Sequence, residues 1–310
     1  MIDPSAAILN ELVPHVERLM ARHLATTREW FPHDLVPWDR GGAFADAAGQ
    51  EELTLPPGVR SSLFVNLLTE DNLPYYFHTI ARMFGSDGAW GAWSRRWTAE
   101  EGRHSIVIRD YLTVTRMVDP VALERARMHQ VSHGVVPEPP TPVDGLVYVA
   151  LQELATRIAH RNTGKLLDDP AGYDVMSRVA SDENLHFLFY RDLVSAAIEI
   201  DPSAVVCAAE RQVREFEMPG TGIVDFGEHA LAIAKAGIYD LRIHHEQILE
   251  PVVLRHWKIE ALVDLTAEAE QARLRLVKRV ERIGRAGRRM AERWAGQSAA
   301  EPDLGVPVLV

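Results

Sequence analysis

The amino-acid sequence predicts an all-α protein built around a bundle of long helices. Apolar residues recur at helical spacing along most of its 310 residues. Prolines and glycines interrupt this pattern at intervals of about one helix length, and no alternating strand-and-hairpin pattern stands out. Together these observations favour a helix bundle over a mixed or β architecture.

The N-terminal part is predicted to form one amphipathic helix followed by a loop. The helix covers residues 5–29 and ends in the proline-containing run 31–37. Residues 38–58 are rich in glycine and proline and are predicted as a loop. The inward stripe of the helix comprises Ile8, Leu12, Val16, Leu19 and His23.

The rest of the chain is predicted to be a series of helices. Four long ones cover about 60–84, 89–117, 143–168 and 171–198. Shorter or more polar ones cover about 121–133, 203–216, 225–256 and 265–290. We expect a single domain over residues 1–295 and a flexible tail over residues 296–310.

Composition excludes several classes of function. The net charge of −11 argues against a nucleic-acid binder, which needs a basic surface. No stretch of 18 apolar residues is present, so no membrane span is expected, and the N-terminus has neither a secretory nor a transit pattern. Cys207 is the single cysteine, which excludes an internal disulfide and a protein-borne iron–sulfur cluster. A cytoplasmic location is therefore expected.

Two Glu-x-x-His motifs are spaced in a way that predicts a metal site. They begin at Glu101 and Glu183, and a further glutamate precedes each of them by 31 and 30 residues, Glu70 and Glu153 respectively. Each interval fits one helix, a turn and an antiparallel return. Residues at i and i+3 lie on one face of a helix, so two such hairpins would bring six ligands together. A single glutamate of this kind is usually solvated, and it is the doubled series that indicates a site.

The type of ligand favours iron or manganese over zinc. The predicted set comprises Glu70, Glu101, His104, Glu153, Glu183 and His186. It contains four carboxylates, two imidazoles and no thiolate. Acids inside apolar helical runs would be costly to bury without a metal ion. Two iron ions per chain are predicted, and manganese stays open as the alternative metal.

Several neighbouring residues have two possible roles. Asp182 is either solvated or accepts a proton from a ligand imidazole. Thr156 is either a packing residue or a hydroxyl that faces an oxygen pocket. Trp97 is interpreted as a core residue, with a role in electron transfer as the alternative. Tyr190 is interpreted as a core phenol, with a stored radical as the alternative. Histidines outside the two motifs are interpreted as surface or core residues.

Longer motifs resemble a known family. They are the stretches 29–37 (EWFPHDLVP), 68–75 (LTEDNLPY), 97–104 (WTAEEGRH), 152–153 (QE), 161–164 (RNTG), 182–186 (DENLH) and 199–202 (EIDP). Over roughly residues 23–290 the sequence resembles the soluble acyl-carrier-protein desaturases, the stearoyl-type enzymes of plastids and their actinobacterial relatives.

The resemblance implies a fold, a site and partners. It implies a ferritin-like four-helix bundle core with additional N- and C-terminal helices, and the same six residues as iron ligands. It places Thr156 near bound oxygen, and Trp30, His104 and Asp182 on an electron route. It also implies a homodimer, a ferredoxin-type electron donor and a fatty acyl chain presented by the acyl carrier protein. The implied reaction is the oxygen-dependent insertion of a cis double bond.

The sequence departs from the family pattern in places that bear on the substrate. Asp71 stands where a second glutamate is common, and Leu154-Ala155 where plant members carry a charge. The resemblance places Arg82 near the position where the plant enzymes shape the deep end of the acyl channel. Chain length and double-bond position therefore remain open. So do a hydroxylating or N-oxygenating di-iron enzyme and a ferritin-like metal-binding protein.

An acidic carrier protein needs a local basic surface on a chain of charge −11. Two clusters qualify, and we favour the first. The first-helix cluster is Arg18, Arg22 and Arg28; the C-terminal cluster is Arg285, Arg288 and Arg289.

Overall fold

The computed structural model describes residues 4–42, 55–220 and 222–300. Within these ranges every regular element is helical, which confirms the all-α prediction. The α-helices are α1 (Pro4–Thr26), α2 (Pro32–Leu35), α3 (Pro57–Glu70), α4 (Leu73–Phe84), α5 (Gly88–Thr115), α6 (Pro120–His133), α7 (Pro142–Leu166), α8 (Pro170–Ile200), α9 (Pro202–Glu215), α10 (Phe226–Lys235), α11 (Leu241–His244) and α12 (Ala267–Ala300). A π-helix covers His245–His256, and 3₁₀ turns cover Trp38–Arg40 and Ile259–Ala261.

Prolines and capping side chains define where many helices begin. A proline occupies the first turn of α3, α4, α6, α7, α8 and α9, where its missing N–H is not needed. Asp119, Thr141 and Asp201 each accept a hydrogen bond from a backbone N–H of the following turn. Because these signals are local, the predicted long helices over 89–117, 143–168 and 171–198 agree with the observed ones to within a few residues.

Four helices form the core of the bundle. Helix α7 packs along α8 and α3 packs along α5, and the two pairs meet where α5 contacts α8 and α3 contacts α7. Helix α1 lies against α8 and α5, α10 covers α3, and α12 packs on α9. The result is a four-helix core with additional helices at both ends of the chain, as predicted.

A buried polar layer divides the apolar core into two clusters. On α5 the segment 100–104 separates Trp97, in the first cluster, from Val107, in the second. On α8 the segment 182–186 lies between the same two clusters. The layer is therefore enclosed by apolar packing on both sides, which keeps water away from it.

The N-terminal helix follows its predicted stripe. The four apolar residues of that stripe and His23 are each at most 5% exposed. The helix ends at Thr26, three residues earlier than predicted, where the hydroxyls of Thr26 and Thr27 donate to the carbonyl of His23. Of the predicted loop 38–58, residues 43–54 lie outside the described residues, and α3 already begins at Pro57.

The prediction of one helix over 60–84 was wrong, because the chain turns between α3 and α4. Pro74 has no N–H for the carbonyl of Glu70, and its ring would clash with that carbonyl in a continuous helix. Helix α3 therefore ends at Glu70 and α4 restarts at Leu73.

The prediction of one helix over 225–256 was also wrong. Gly237 adopts a φ of +71°, which ends α10, and Asp240 caps the start of α11. The last helix extends to Ala300, into the segment predicted as a tail, and residues 301–310 lie outside the described residues. Across the described ranges, no helix is long and apolar enough to cross a membrane.

Candidate metal centre

The bundle core brings the six predicted ligands into one buried layer. All six residues are buried, and each is at most 6% exposed. The six are Glu70 on α3, Glu101 and His104 on α5, Glu153 on α7, and Glu183 and His186 on α8. The two helix pairs that carry them correspond to the two predicted hairpins.

One half of the layer surrounds His104. Its Nδ1 lies 3.2 Å from Glu101 Oε2, 3.4 Å from Glu183 Oε1 and 3.6 Å from Glu70 Oε2. One ligand atom from each of these four residues lies within 4.8 Å of the others. The four can therefore hold one cation between them.

The other half surrounds His186 in the same way. Its Nδ1 lies 2.8 Å from Glu101 Oε1, 3.7 Å from Glu153 Oε2 and 4.0 Å from Glu183 Oε2. These four residues form a second group whose ligand atoms lie within 4.8 Å of one another.

Glu101 and Glu183 belong to both halves. Glu101 directs Oε2 toward His104 and Oε1 toward His186. Glu183 directs Oε1 toward His104 and Oε2 toward His186. Two carboxylates shared in this way can bridge two metal ions, and the remaining glutamate and histidine of each half can each bind one ion.

Unsatisfied polar atoms show that the cluster fits metal ions. Glu101 Oε1, Glu153 Oε2 and His186 Nδ1 are buried and make no hydrogen bond. Such atoms are costly in a protein interior unless a partner is supplied. Cations would supply it, and oxygen and imidazole ligands without thiolate suit iron or manganese.

The protonation of the cluster is shifted by burial and by charge. Burial lowers the pKa of the His104 imidazole, but the carboxylates of Glu101, Asp182 and Glu183 together outweigh burial and hold that pKa well above its ordinary value. Burial, together with the charge of Glu183, raises the pKa of Glu153 well above its ordinary value. Without metal the cluster therefore retains protons that bound cations would displace.

Asp182 lies behind His104, where the sequence interpretation placed a supporting group. Its Oδ2 lies 3.6 Å from His104 Nε2, which is longer than a hydrogen bond, and accepts a hydrogen bond of 2.8 Å from Trp30 Nε1. Arg103 and Arg178 also contact Asp182, and the Arg103 guanidinium lies 4.8 Å from the centre of the Trp30 ring. The three residues of the predicted electron route therefore lie next to one another in space, with Asp182 between Trp30 and His104.

Thr156 and Trp97 both contact the ligand cluster. The Thr156 hydroxyl donates to the Glu153 carbonyl at 3.0 Å and lies 3.3 Å from Glu183 Oε2. Trp97 is buried, as predicted, and its Nε1 also donates to Glu153 Oε1 at 3.0 Å. Tyr190 is a buried core phenol that accepts a hydrogen bond from a neighbouring tryptophan, as predicted.

Two histidines contact this layer in a way that the sequence interpretation did not predict. His160 Nε2 lies 3.0 Å from Glu70 Oε1, and His23 Nε2 lies 2.9 Å from Glu100 Oε2. Both rings are buried, which agrees with the core reading, but their acidic partners were not predicted. His160 follows Glu153 by two helical turns, so a search along that face of α7 would have found it.

Two apolar clefts meet at the cluster. The α4 cleft is lined by Thr79, Ile80 and Met83 of α4. The α10 cleft is lined by Phe226, Ala230 and Ile233 of α10. The residues common to both linings are Thr69, Glu70, Thr156 and Pro219.

Arg82 lies beside the α4 cleft. It pairs with Glu138 at 2.9 Å, and both side chains are more than half exposed. Their neighbours Met83, Pro137 and Pro139 line the cleft. The pair therefore lies at the outer end of this cleft, away from the ligand cluster.

A helix bundle with two metal-binding groups that share two glutamates defines the ferritin-like class of carboxylate metal proteins. A family model described as fatty acid desaturase matches residues 5–304. The chain belongs to this family of oxidoreductases, which confirms the resemblance drawn from its motifs.

Individual relatives and a solved structure agree with this family assignment. DesA1 of Mycobacterium tuberculosis, which is named as an acyl-acyl-carrier-protein desaturase, is 42% identical over 278 residues, covering 86% of this chain and 82% of that protein. The chloroplastic stearoyl-acyl-carrier-protein 9-desaturase 6 of Arabidopsis thaliana is 33% identical, covering 77% of this chain and 66% of that protein. The crystal structure of DesA2 from M. tuberculosis matches with a TM-score of 0.66 and 28% identity, over 86% of this chain and 99% of that chain.

Proposed function

We propose that this protein is an oxygen-dependent acyl-acyl-carrier-protein desaturase whose six clustered residues hold two iron ions. The observation that carries the proposal is that Glu101 and Glu183 each direct one oxygen to each half of a buried cluster on which two apolar clefts open. Relatives that are named as acyl-carrier-protein desaturases support the class of substrate.

The protein's own contribution is to hold the ligands and keep the site dry. When bound, a reduced pair of iron ions supplies the activation of oxygen that removes two hydrogens from adjacent methylene groups. The carboxylates and imidazoles fix where that chemistry takes place, and the apolar clusters on either side of the layer exclude water from it.

Substrate placement depends on shape, because an acyl chain has no polar group near the reacting carbons. In the proposed arrangement the chain lies along both clefts and passes the cluster beside Glu70 and Thr156, where the two linings meet. The lining side chains then hold one pair of methylenes against the metal ions, which is the positioning that the reaction requires.

Product analysis tests the reaction. The iron-loaded protein, given acylated carrier protein, oxygen and a ferredoxin-type reductant, should yield an acyl chain that has lost two hydrogens. Mass spectrometry of the released acyl chain measures this directly. A product that has instead gained one oxygen atom would favour the hydroxylating alternative, and an unchanged acyl chain would contradict the proposal.

Electrons are proposed to reach the cluster through Trp30 and Asp182. Trp30 is 8% exposed, so its ring lies just beneath the surface, and its N–H contacts the acid behind His104. No flavin, nicotinamide or iron–sulfur motif is present in the sequence, so an external donor of the ferredoxin type is proposed. The homodimer that the resemblance implies stays a prediction.

Trp30→Phe should slow reduction of the oxidised metal centre at least several-fold while leaving the metal bound. The substitution removes the indole and its hydrogen bond to Asp182 but keeps an aromatic ring in the same space. Stopped-flow reduction by ferredoxin measures the effect. Trp38→Phe, at an exposed tryptophan in the same region of the chain, is the matched control. Equal reduction rates in the two variants would remove Trp30 from the route.

The contacts of the two basic clusters favour the C-terminal cluster over the first-helix cluster as the docking surface for the carrier protein. Arg22 pairs with Asp192 at 2.7 Å, and Arg18 bonds to His15. Neither these two nor Arg28 lines the α4 or α10 cleft. The first-helix cluster is therefore partly neutralised and contributes no residue to the proposed acyl path. In the C-terminal cluster Arg285 also pairs with an acid, Glu281 at 3.4 Å, so the contacts of its helix decide between the two clusters.

The C-terminal cluster is connected to the α10 cleft through α11. Gly287 approaches the backbone of Arg242 so closely that a Cβ atom there would lie 2.6 Å from the Arg242 nitrogen. That contact holds α12 against α11, which begins two residues after Tyr239 in the lining of the α10 cleft. We therefore propose that an acidic carrier protein docks on the C-terminal cluster.

Reversing the charges of Arg285, Arg288 and Arg289 to glutamate should raise the KM for acylated carrier protein about tenfold and flatten its salt dependence. The maximal rate and the iron content should hardly change, since the three side chains are exposed. Steady-state kinetics at two salt concentrations measure this. The same triple reversal at Arg18, Arg22 and Arg28 is the matched control, and a larger KM effect there would transfer the docking surface to the first helix.

A further inference from the structure

A nine-residue pattern, Arg-x-x-x-acid-Glu-x-x-His, occurs twice in the ligand helices. It begins at Arg96 on α5 and at Arg178 on α8. In each copy the arginine pairs with the acid four residues later, Arg96 with Glu100 and Arg178 with Asp182. The two ligand helices therefore carry equivalent acids, each one residue before a ligand glutamate.

Each of these acids lies behind the histidine of the other copy. Asp182 of α8 lies behind His104 of α5, with its Oδ2 at 3.6 Å from His104 Nε2. Glu100 of α5 lies behind His186 of α8, and its Oε2 accepts a hydrogen bond of 3.0 Å from His186 Nε2. Each helix thus supplies the acid that contacts the histidine of the other helix. The contact between Glu100 and His186 is shorter than that between Asp182 and His104.

An N–H group from the N-terminal part of the chain contacts each acid. Trp30 donates to Asp182 at 2.8 Å, and His23 Nε2 lies 2.9 Å from Glu100 Oε2. Glu100 is 2% exposed and His23 is 4% exposed. The inward stripe of α1 explains why a histidine reaches this depth.

The orientation of the His186 ring gives Glu100 its role. His186 Nδ1 faces the ligand carboxylates, with Glu101 Oε1 at 2.8 Å, so Nδ1 is the atom that would bind a metal ion, and Nε2 is the atom that would then carry the proton. A hydrogen bond from Nε2–H to a fixed carboxylate sets both the tautomer and the plane of a metal-binding imidazole.

We propose that Glu100, held in place by Arg96 and His23, is the positioning residue of His186, as Asp182 is of His104. The inference rests on the proposed metal centre. It adds Glu100 and His23 to the residues on which one half of that centre depends.

A third metal ion is the competing interpretation, because His23, Glu100 and His186 are close enough together to hold one. The Arg96 guanidinium argues against it, since it lies 2.5 Å from Glu100 Oε1 and already neutralises that carboxylate. A cation added beside this pair would be repelled by the guanidinium.

Iron binding by Glu100→Gln tests the inference. The substitution keeps the size of the side chain but removes the charge that holds the imidazole. We expect the affinity for one of the two iron ions to fall about 10- to 100-fold, as is usual when such a support is lost. The Mössbauer spectrum of the iron-loaded protein should change for one iron site only. Glu199→Gln, at an exposed glutamate of α8, is the matched control.

Two further substitutions separate positioning from loss of structure. Glu100→Asp keeps the charge and should recover part of the affinity. His23→Leu should alter the same iron site as Glu100→Gln but more weakly, whereas His23→Gln keeps an N–H donor and should resemble the wild type. His15→Gln, on the same helix, is the control for His23.

Equal iron affinities and spectra for Glu100→Gln and Glu199→Gln would overturn the inference. So would a third bound metal ion that is lost in Glu100→Gln. A wild-type protein that binds no iron would overturn the metal centre and this inference with it. A wild-type protein that binds two iron ions without desaturating would overturn the proposed reaction alone, since the comparison of iron affinities does not depend on turnover.

Discussion

Replacing His186 with alanine should remove iron and activity together while the helices largely survive. His186 supplies the one imidazole of its half of the cluster, and its Nδ1 lies within 4.0 Å of three ligand carboxylates. Among the residues that the structure describes, no other imidazole belongs to that group. We expect turnover to fall more than about 100-fold, beyond the loss that removal of a supporting residue causes.

The helices should persist because the bundle is held by apolar clusters on both sides of the layer. Iron content by mass spectrometry and helicity by far-ultraviolet circular dichroism measure the two effects separately. Glu101→Ala should behave in the same way, since it removes a carboxylate common to both halves. His129→Ala, at an exposed histidine of α6, is the matched control. Full iron content and turnover in His186→Ala would show that the ligand assignment is wrong.

Filling either apolar cleft should abolish most turnover without removing iron. Thr79 lines the α4 cleft and Ala230 lines the α10 cleft, and neither contacts the ligand cluster. A tryptophan at either position would occupy the space proposed for the acyl chain. Crowding of this size costs about 1–3 kcal/mol, so we expect a loss of roughly 5- to 150-fold in kcat/KM.

Iron content and steady-state kinetics with acyl chains of several lengths measure the effect of Thr79→Trp and Ala230→Trp. The variant that blocks the far end of the acyl path should retain more activity with short chains than with long ones. Leu231→Trp, next to Ala230 but exposed, is the matched control. If Thr79→Trp and Ala230→Trp both turned over like Leu231→Trp, the acyl chain would have to bind elsewhere.

The ligand set could be predicted from sequence because it depends on two local rules. The spacing Glu-x-x-His places two ligands on one helix face, and about 30 residues between a glutamate and this motif allow an antiparallel return. In the structure, Glu70 and Glu153 both lie beside residues of the Glu-x-x-His motifs, as these rules predict. The long helices could be predicted for the same reason, since their apolar periodicity and first-turn prolines are local signals.

Features that depend on backbone geometry were harder to predict. The turn at Asp71 and Asn72 was missed because apolar residues continue across it, although Pro74 was a signal that the helix had to end. The π-helix that follows α11 contains Pro251, and apolar periodicity does not distinguish its wider turns from those of an α-helix.

The supports behind the ligands were missed because they depend on contacts between distant parts of the chain. His23 and Glu100 are separated by 77 residues, and His160 and Glu70 by 90. No local pattern pairs a histidine of α1 with an acid of α5. The repeated Arg-x-x-x-acid-Glu-x-x-His pattern would have identified Glu100 as the equivalent of Asp182, but its partner His23 follows only from the packing of α1 against α5 and α8.

The central claim is that two iron ions lie in one buried layer and share Glu101 and Glu183. Anomalous diffraction at the iron absorption edge, from crystals of the iron-loaded protein, tests it most directly. If two iron ions bind in this layer, the anomalous map should contain two peaks per chain. One should lie among Glu70, Glu101, His104 and Glu183, and the other among Glu101, Glu153, Glu183 and His186. A single peak, or peaks outside these two groups, would contradict it.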